Sequence, residues 1–353
     1  MVHANSEVPF IARLTRRVLL FGGVGLAACV SITEPLGHDA IDMRFDALVG
    51  DASLPGAGFV VLDEHGSLYQ RFAGAISAGS PIPLASATKW LTTVTMLALV
   101  EEGFFSLDTN LAECIPETPE THRAITIRQL LSHTSGIDPQ LALRLPPSMP
   151  MREMAQALLA APLIARPGEV FAYGGSSMQV AAHAAERRAG AEWSTLFETR
   201  LAARLGLTSI NWLHPVAPAA GGGTPMVAGG LVLSPNDLEI FLAFILNRGV
   251  HAGRRLLSAR AIGEIERLQT GAVREFRRVD VAAPEWRYGL GVWCERIEGD
   301  EVCSLVSSPG AFGAVPWVDR TRGRAGFFIT QARLPRVMRG ALELRDLSNS
   351  LVR

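Results

Sequence analysis

Strand patterns stand at the two ends of this chain and helical patterns fill its middle, and that order leaves few ways to fold. Residues 58–62 and 67–72 are β-rich apolar runs joined by the turn sequence Asp63-Glu64-His65-Gly66, so they predict a hairpin. Four more strand patterns lie near the other end, at 288–295, 302–307, 314–319 and 326–331. Helical periodicity dominates between them. A helix over 39–49, with Ile41, Phe45 and Leu48 on one face, precedes the hairpin, and a helix over 341–352 closes the chain. Strands from both ends most simply share one antiparallel sheet, with the terminal helices covering it and the middle inserted. The expected fold class is therefore α+β. Residues 39–105 and 280–353 would form the sheet domain, and 106–279 a mainly helical domain.

Composition narrows the possible partners. The chain is 48% hydrophobic, enough for a substantial core, and 33 Lys and Arg balance 34 Asp and Glu. No basic patch beyond the N-terminus offers the electrostatic footprint that nucleic acid requires.

The N-terminus reads as a targeting segment. Arg13, Arg16 and Arg17 precede an apolar run over 18–28 that is shorter than the ~20 residues of a membrane span. The expectation is a signal peptide, residues 1–28, in which Arg16-Arg17 is compatible with either twin-arginine or general export. Leu26-Ala27-Ala28-Cys29 resembles a bacterial lipobox, which implies cleavage before Cys29 and lipidation of its sulfur; the alternatives are plain cleavage after Ala28 or an uncleaved anchor. The expected location is periplasmic, with a membrane anchor where Cys29 is lipidated. Export makes a disulfide admissible. A hairpin turning at Glu298-Gly299 would set Cys294 directly opposite Cys303 at a non-hydrogen-bonded position, where side chains approach most closely. Two free thiols are the alternative there, and Cys114 reads as a packing residue.

Chemistry enters at Ser86-Ala87-Thr88-Lys89. The segment behind it, with Trp90, Thr93, Met96, Leu97 and Val100 at helical spacing, predicts a helix ending near Gly103. Positions i and i+3 share a helix face, so the Ser86 hydroxyl and Lys89 amine can meet. Serine is a weak nucleophile until a base adjoins it, and a lysine becomes that base when burial lowers its pKa. The bland reading of Ser-x-x-Lys, a helix start beside a solvated lysine, is far commoner. Three other features read as structural. Gly74-Ala75-Ile76-Ser77-Ala78-Gly79 has the wrong spacing for a nucleophile elbow. Gly229-Gly230 lacks the lysine of a phosphate loop and reads as close backbone packing. His133, in the stretch 126–137 that reads as a helix stopped by a polar turn, reads as satisfying that turn with its neighbouring hydroxyls. Tyr173 stands between the turn Arg166-Pro167-Gly168-Glu169 and a helix that Ser176 or Ser177 is placed to cap. No histidine or cysteine spacing suits a metal, and no cofactor motif is present.

Taken together these pieces resemble the serine β-lactamase and penicillin-binding-protein-like superfamily, most closely its class C β-lactamase and family VIII esterase branch. The residues that carry the resemblance are Ser86-Ala87-Thr88-Lys89, the run from Ile127 to Gly136, Pro167-Gly168 with Phe171-Ala172-Tyr173, Ala228-Gly229-Gly230-Leu231, Tyr288-Gly289-Leu290-Gly291, and Pro309-Gly310 with Gly313. They follow the family's order across most of the mature chain. The resemblance implies Ser86 as nucleophile and Lys89 as base. Tyr173, matching the tyrosine of a Tyr-x-Asn motif, would share proton transfer to the leaving group, its ionisation eased by Lys89. The backbone N–H groups of Ser86 and Ala311 would form the oxyanion hole, each worth on the order of 3 kcal/mol.

Two positions depart from the family pattern. Gly175 stands where asparagine is common, and Ser308-Pro309-Gly310 stands where a Lys-Thr-Gly or His-x-Gly motif is expected. Gly175, Ser308 and Gly310 would line the substrate site, and Ser308 can donate a hydrogen bond but brings no charge for a substrate carboxylate. The reading is an exported serine hydrolase acting on a small ester or amide, a carboxylesterase with weak or no β-lactamase activity. A β-lactamase or D,D-carboxypeptidase is the alternative within that class, and a non-catalytic cell-wall-binding homologue is the alternative outside it.

Overall fold

The computed structural model describes residues 37–213, 224–271, 273–277, 282–299 and 301–352. The segment expected to be a signal peptide, 1–28, and Cys29 lie outside them. Helix α1 (Gly37–Asp51) buries Ile41, Phe45 and Leu48, the stripe its 3.6-residue period sets. The hairpin follows as β1 (Gly56–Asp63) and β2 (Gly66–Gly74), with Asp63 paired to Gly66 across the turn. Helices α2 (Thr88–Glu101), α3 (Ile127–Leu131), α4 (Met151–Ala160), α5 (Ser176–Ala189) and α6 (Pro235–Leu246) belong to the middle. The chain then returns to strand as β3 (Arg287–Tyr288), β4 (Trp293–Glu298), β5 (Val302–Ser307), β6 (Val315–Asp319) and β7 (Arg324–Thr330), and ends with α7 (Leu334–Leu347).

The two ends of the chain meet in one seven-stranded antiparallel sheet of order β3-β4-β5-β6-β7-β1-β2. β1 lies between β7 and β2, with Phe59 opposite Phe328 and Val60 opposite Phe327. Side chains alternate across the sheet. Phe59, Val61 and Phe328 pack with α1 and with Val337, Ala341 and Leu344 of α7. Val60, Leu62, Phe327 and Ile329 face the other way into the core made by the middle helices. Each large apolar side chain so buried contributes roughly 1.5–3 kcal/mol, before the entropy of ordering it is subtracted. The ion pair Arg345–Glu295, its side chains 12% and 3% exposed, fastens α7 to β4.

Four details differ from the sequence reading. The run 288–295 is not one strand: it reverses at Gly289–Val292, so β3 and β4 pair with each other, Tyr288 opposite Trp293. Gly291 permits this, with φ +72° and no room for a Cβ, which would meet Thr93 Oγ1 at 2.3 Å and the Lys89 carbonyl oxygen at 2.7 Å. The last helix begins at Leu334, earlier than 341, because Pro335 falls in its first turn, where no N–H is needed. Ser176 and Ser177 do not cap α5, whose N-cap is Gly175. The Cys294–Cys303 disulfide is present, but the two residues are not ladder partners. Glu298 pairs with Val302, which lengthens the turn, and register shifts flank Arg296, so Cys294 faces Val306 and Cys303 faces Ile297. Such bulges coil a ribbon; both cysteines are fully buried on its helical side.

Candidate active site

The site forms where the two apolar clusters meet. Ser86 lies in a short 3-10 turn, Ala85–Ala87, that leads directly into α2. Ala85 before it holds φ +44°, a left-handed conformation that costs a non-glycine residue roughly 1–2 kcal/mol. Ser86 is half-buried and Lys89 is 3% exposed. One helical turn separates them, and Lys89 Nζ lies 3.1 Å from Ser86 Oγ. Nζ also donates to the Ala228 carbonyl oxygen at 2.8 Å. That carbonyl belongs to the loop that includes Gly229-Gly230, which α2 grips further through Thr92 Oγ1 to the Val227 oxygen and Thr88 Oγ1 from the Leu231 N–H.

Burial pushes the Lys89 ammonium down from its ordinary value to about 7. Near neutral pH a large fraction of the amine is therefore uncharged. A neutral Nζ can donate to Ala228 while its lone pair accepts the Ser86 proton, the arrangement a general base needs.

Tyr173 reaches the same point from the other cluster. It follows the short strand Val170–Ala172 and comes just before α5, and it is 6% exposed. Its hydroxyl stands close to the side chains of Ser86 and Trp293. Lys89 Nζ faces the flat of the Tyr173 ring, 4.7 Å from its centre. Burial raises the Tyr173 pKa to about 12, against the smaller opposing effect of the neighbouring Ser86 and Trp293 side chains. The expectation that Lys89 eases its ionisation is thus corrected: with the amine over the ring face, desolvation dominates and Tyr173 stays protonated.

Around Tyr173 stands an aromatic wall of Phe171, His133, Tyr288 and Trp293, with neighbouring ring centres 4.9–6.5 Å apart. His133, at φ +59°, lies within hydrogen-bond distance of Ser177 Oγ through Nδ1 and of Tyr288 Oη through Nε2, both at 3.2 Å. Burial, and then the Lys89 charge, hold its pKa well below the usual histidine value. His133 is a neutral strut in this wall.

The third side is the segment after β5. Gly310 packs so tightly on the turn that holds Ser86 that a Cβ there would meet the Leu84 carbonyl oxygen at 2.1 Å. This close approach brings Ala311 beside the Ser86 turn. Among the described residues the Ala311 N–H has no acceptor, and the Ser86 N–H lies in a first helical turn, where donors lack intrahelical partners. Ser308 Oγ lies 3.2 Å from the carbonyl oxygens of both Ser86 and Gly291, so its donor is committed to backbone. Gly175 borders open space: a Cβ there would meet only Ala228 Cβ, at an ordinary 3.5 Å. Among the described residues no group of three or more His, Cys, Asp or Glu is placed to hold a metal.

Sequence reasoning missed the Ala228 carbonyl, the strained Ala85 and Trp293. The first two are backbone features without a residue signature. A strand tryptophan reads as core, and only the glycines before it hinted at a turn.

With this geometry in hand, comparison with known proteins is informative. A family model described as Beta-lactamase matches residues 41–349. A lovastatin esterase from Penicillium rubens is 27% identical over 241 residues, covering 54% of this chain and 60% of that protein. The D-alanyl-D-alanine-carboxypeptidase/endopeptidase AmpH of Escherichia coli K12 is 25% identical over 370 residues, covering 92% and 90%. The match spans only 30–60% of the length of the first curated relatives. Among solved structures, a Bacteroides dorei protein assigned as a beta-lactamase superposes with TM-score 0.77 at 27% identity, covering 89% of this chain and 98% of that one.

Proposed function

The chain belongs to the beta-lactamase family, and from that premise we propose that it is a serine hydrolase, a carboxylesterase that works through an acyl-enzyme on Ser86. The observation that carries this is Lys89 Nζ, buried 3.1 Å from Ser86 Oγ with its pKa brought down to about 7. In the proposed reaction Ser86 Oγ attacks the ester carbonyl and its proton passes to Lys89. The N–H groups of Ser86 and Ala311 receive the developing oxyanion. Tyr173, still protonated, supplies a proton to the departing alkoxide, and water later releases the acyl group with the same residues acting in reverse.

The ester preference rests on what stands opposite Ser86. Ser308 offers no charge and its hydroxyl is occupied by backbone, so a carboxylate-bearing β-lactam or D-alanyl peptide meets no cation at that position. The space left at Gly175 favours a branched or bulky acyl group. A D,D-carboxypeptidase is the second reading, favoured by the relative that aligns over 92% of the chain. The test is a panel of short-chain p-nitrophenyl esters, nitrocefin and a D-alanyl-D-alanine peptide. The reading predicts turnover of the esters at least about tenfold above the other two in kcat/KM. Preferential release of D-alanine would replace it with the second reading, and no turnover of any substrate by folded protein would leave a non-catalytic homologue.

An exported, lipid-anchored location is proposed from residues 13–29 alone. The Cys294–Cys303 disulfide supports an oxidising compartment.

A further inference from the structure

The Ala228 carbonyl that meets Lys89 Nζ at 2.8 Å is set in place by side chains from two helices. The residue before it is gripped on both polar groups: Gln179 Oε1 accepts from the Val227 N–H at 3.2 Å, and Thr92 Oγ1 donates to the Val227 carbonyl at 2.6 Å. Gln179 Nε2 also donates to the Pro225 carbonyl at 2.8 Å. Only this orientation of the amide satisfies both ends, an oxygen on the N–H and a nitrogen on the carbonyl. Thr92 lies on α2 and Gln179 on α5, and both are fully buried. Among the described residues no backbone group bonds the Val227 N–H, the Val227 carbonyl or the Ala228 carbonyl. Thr92 follows Lys89 by three residues, so the side chain that fixes the loop and the one that bonds it share a helix face.

A neutral amine has two protons and one lone pair, and only the lone pair can take the serine proton. On the reading of Lys89 as the base, we propose that Thr92 and Gln179 are its positioning residues: they hold the Ala228 carbonyl where it takes one N–H of Nζ and leaves the lone pair to Ser86 Oγ. In acylation the Ser86 O–H bond breaks and its proton joins Nζ. Oγ bonds the ester carbonyl carbon, whose π electrons pass to the oxyanion. The ammonium so formed keeps the Ala228 oxygen as acceptor, so the base is supported in both its states. The other titratable groups facing Nζ are Tyr173, whose ring lies 4.7 Å away, and His133 in the same wall. Both are neutral near pH 7, so a pH midpoint that moves in that range reports on Lys89.

Three variants test it. Thr92→Val and Gln179→Met keep the bulk and remove the hydrogen bonds, and Thr92→Ser keeps the hydroxyl. Each is checked for folding by thermal melt, and fluorophosphonate labelling and p-nitrophenyl ester turnover are then followed from pH 5 to 9. Thr92→Val and Gln179→Met are expected to lose roughly tenfold or more in kcat with KM within about twofold, and Thr92→Ser to stay within about threefold of wild type. In the first two the midpoint of the labelling rate should fall by about half a unit or more, because a carbonyl accepting from the ammonium favours the charged form and its displacement removes that support. A purely structural role would lower the melting temperature and leave kcat and midpoint unchanged in the folded protein. Wild-type kcat and midpoint in folded Thr92→Val and Gln179→Met, or a Thr92→Ser as impaired as Thr92→Val, overturn the positioning role while leaving the esterase reading intact. A folded wild type that neither labels at Ser86 nor turns over the ester overturns both.

Discussion

Two walls of the site handle buried polar groups in opposite ways. On the α2 and aromatic side, the buried Lys89 and Tyr173 close on the half-buried Ser86, with Lys89 Nζ 3.1 Å from Ser86 Oγ. Burial drives the lysine down to about 7 and the tyrosine up to about 12, so one physical cause leaves both in reach of their neutral forms. On the strand side, Ser308 spends its hydroxyl on the carbonyls of Ser86 and Gly291, and what remains facing the nucleophile is amide. In the proposed reaction the first wall acylates, while the second holds Ser86 in place and, at Ser308, offers a substrate no charge. The difference separates reaction from specificity within one site.

The largest effect that sharpens this contrast is Lys89→Met. Ester turnover should fall roughly 10²–10⁴-fold, because the base is gone. The same variant should be more stable than wild type at pH 6, by roughly 1–3 kcal/mol in denaturant melts, since wild type there keeps a charge in a buried site. The folded pKa of Lys89 lies below the ordinary 10.5, so the unfolded chain binds more protons between about pH 7 and 10.5. Wild-type stability therefore rises with pH across that window and the lead of the variant shrinks. A destabilised Lys89→Met at pH 6 would break the claim that the lysine is there for chemistry at a cost in stability.

Tyr173→Phe comes next, with an expected loss of roughly 10–100-fold on alkyl esters and little change in KM. Ser308→Ala probes the other wall. If its hydroxyl serves the backbone, stability falls by about 1 kcal/mol and KM stays within about twofold; a KM that rises with stability unchanged would make Ser308 a substrate contact and erase the contrast. Gly175→Asn should have the smallest effect. Its φ of −105° suits any residue and the space is open, so stability should hold within about 0.5 kcal/mol. Slower turnover of branched acyl esters with straight-chain rates kept is the expected readout.

The sequence made parts of this arrangement readable for physical reasons. Period-2 and period-3.6 patterns place strands at both ends and helices between, and the sheet closes as that order requires. Ser86 and Lys89 were readable because a three-residue spacing fixes their relation on a helix. Tyr173 was reached only through resemblance, since nothing local ties a residue before α5 to one before α2. The Ala228 carbonyl was invisible: its role depends on where a loop 139 residues beyond Lys89 comes to rest. The register of Cys294 and Cys303 failed because the turn is longer than two residues and bulges intervene.

The central claim, that Ser86 is a nucleophile activated by a lysine that burial keeps partly neutral, meets its most direct test in covalent labelling. Folded protein is exposed to a fluorophosphonate across pH 5 to 9, and the adduct is located by peptide mass spectrometry. The account predicts a single adduct on Ser86, a labelling rate that rises with pH through a midpoint within about one unit of 7 as Lys89 loses its proton, and no adduct in Lys89→Met. Folded wild type that stays unlabelled, an adduct on another residue, or a Lys89→Met variant labelled as fast as wild type would contradict it.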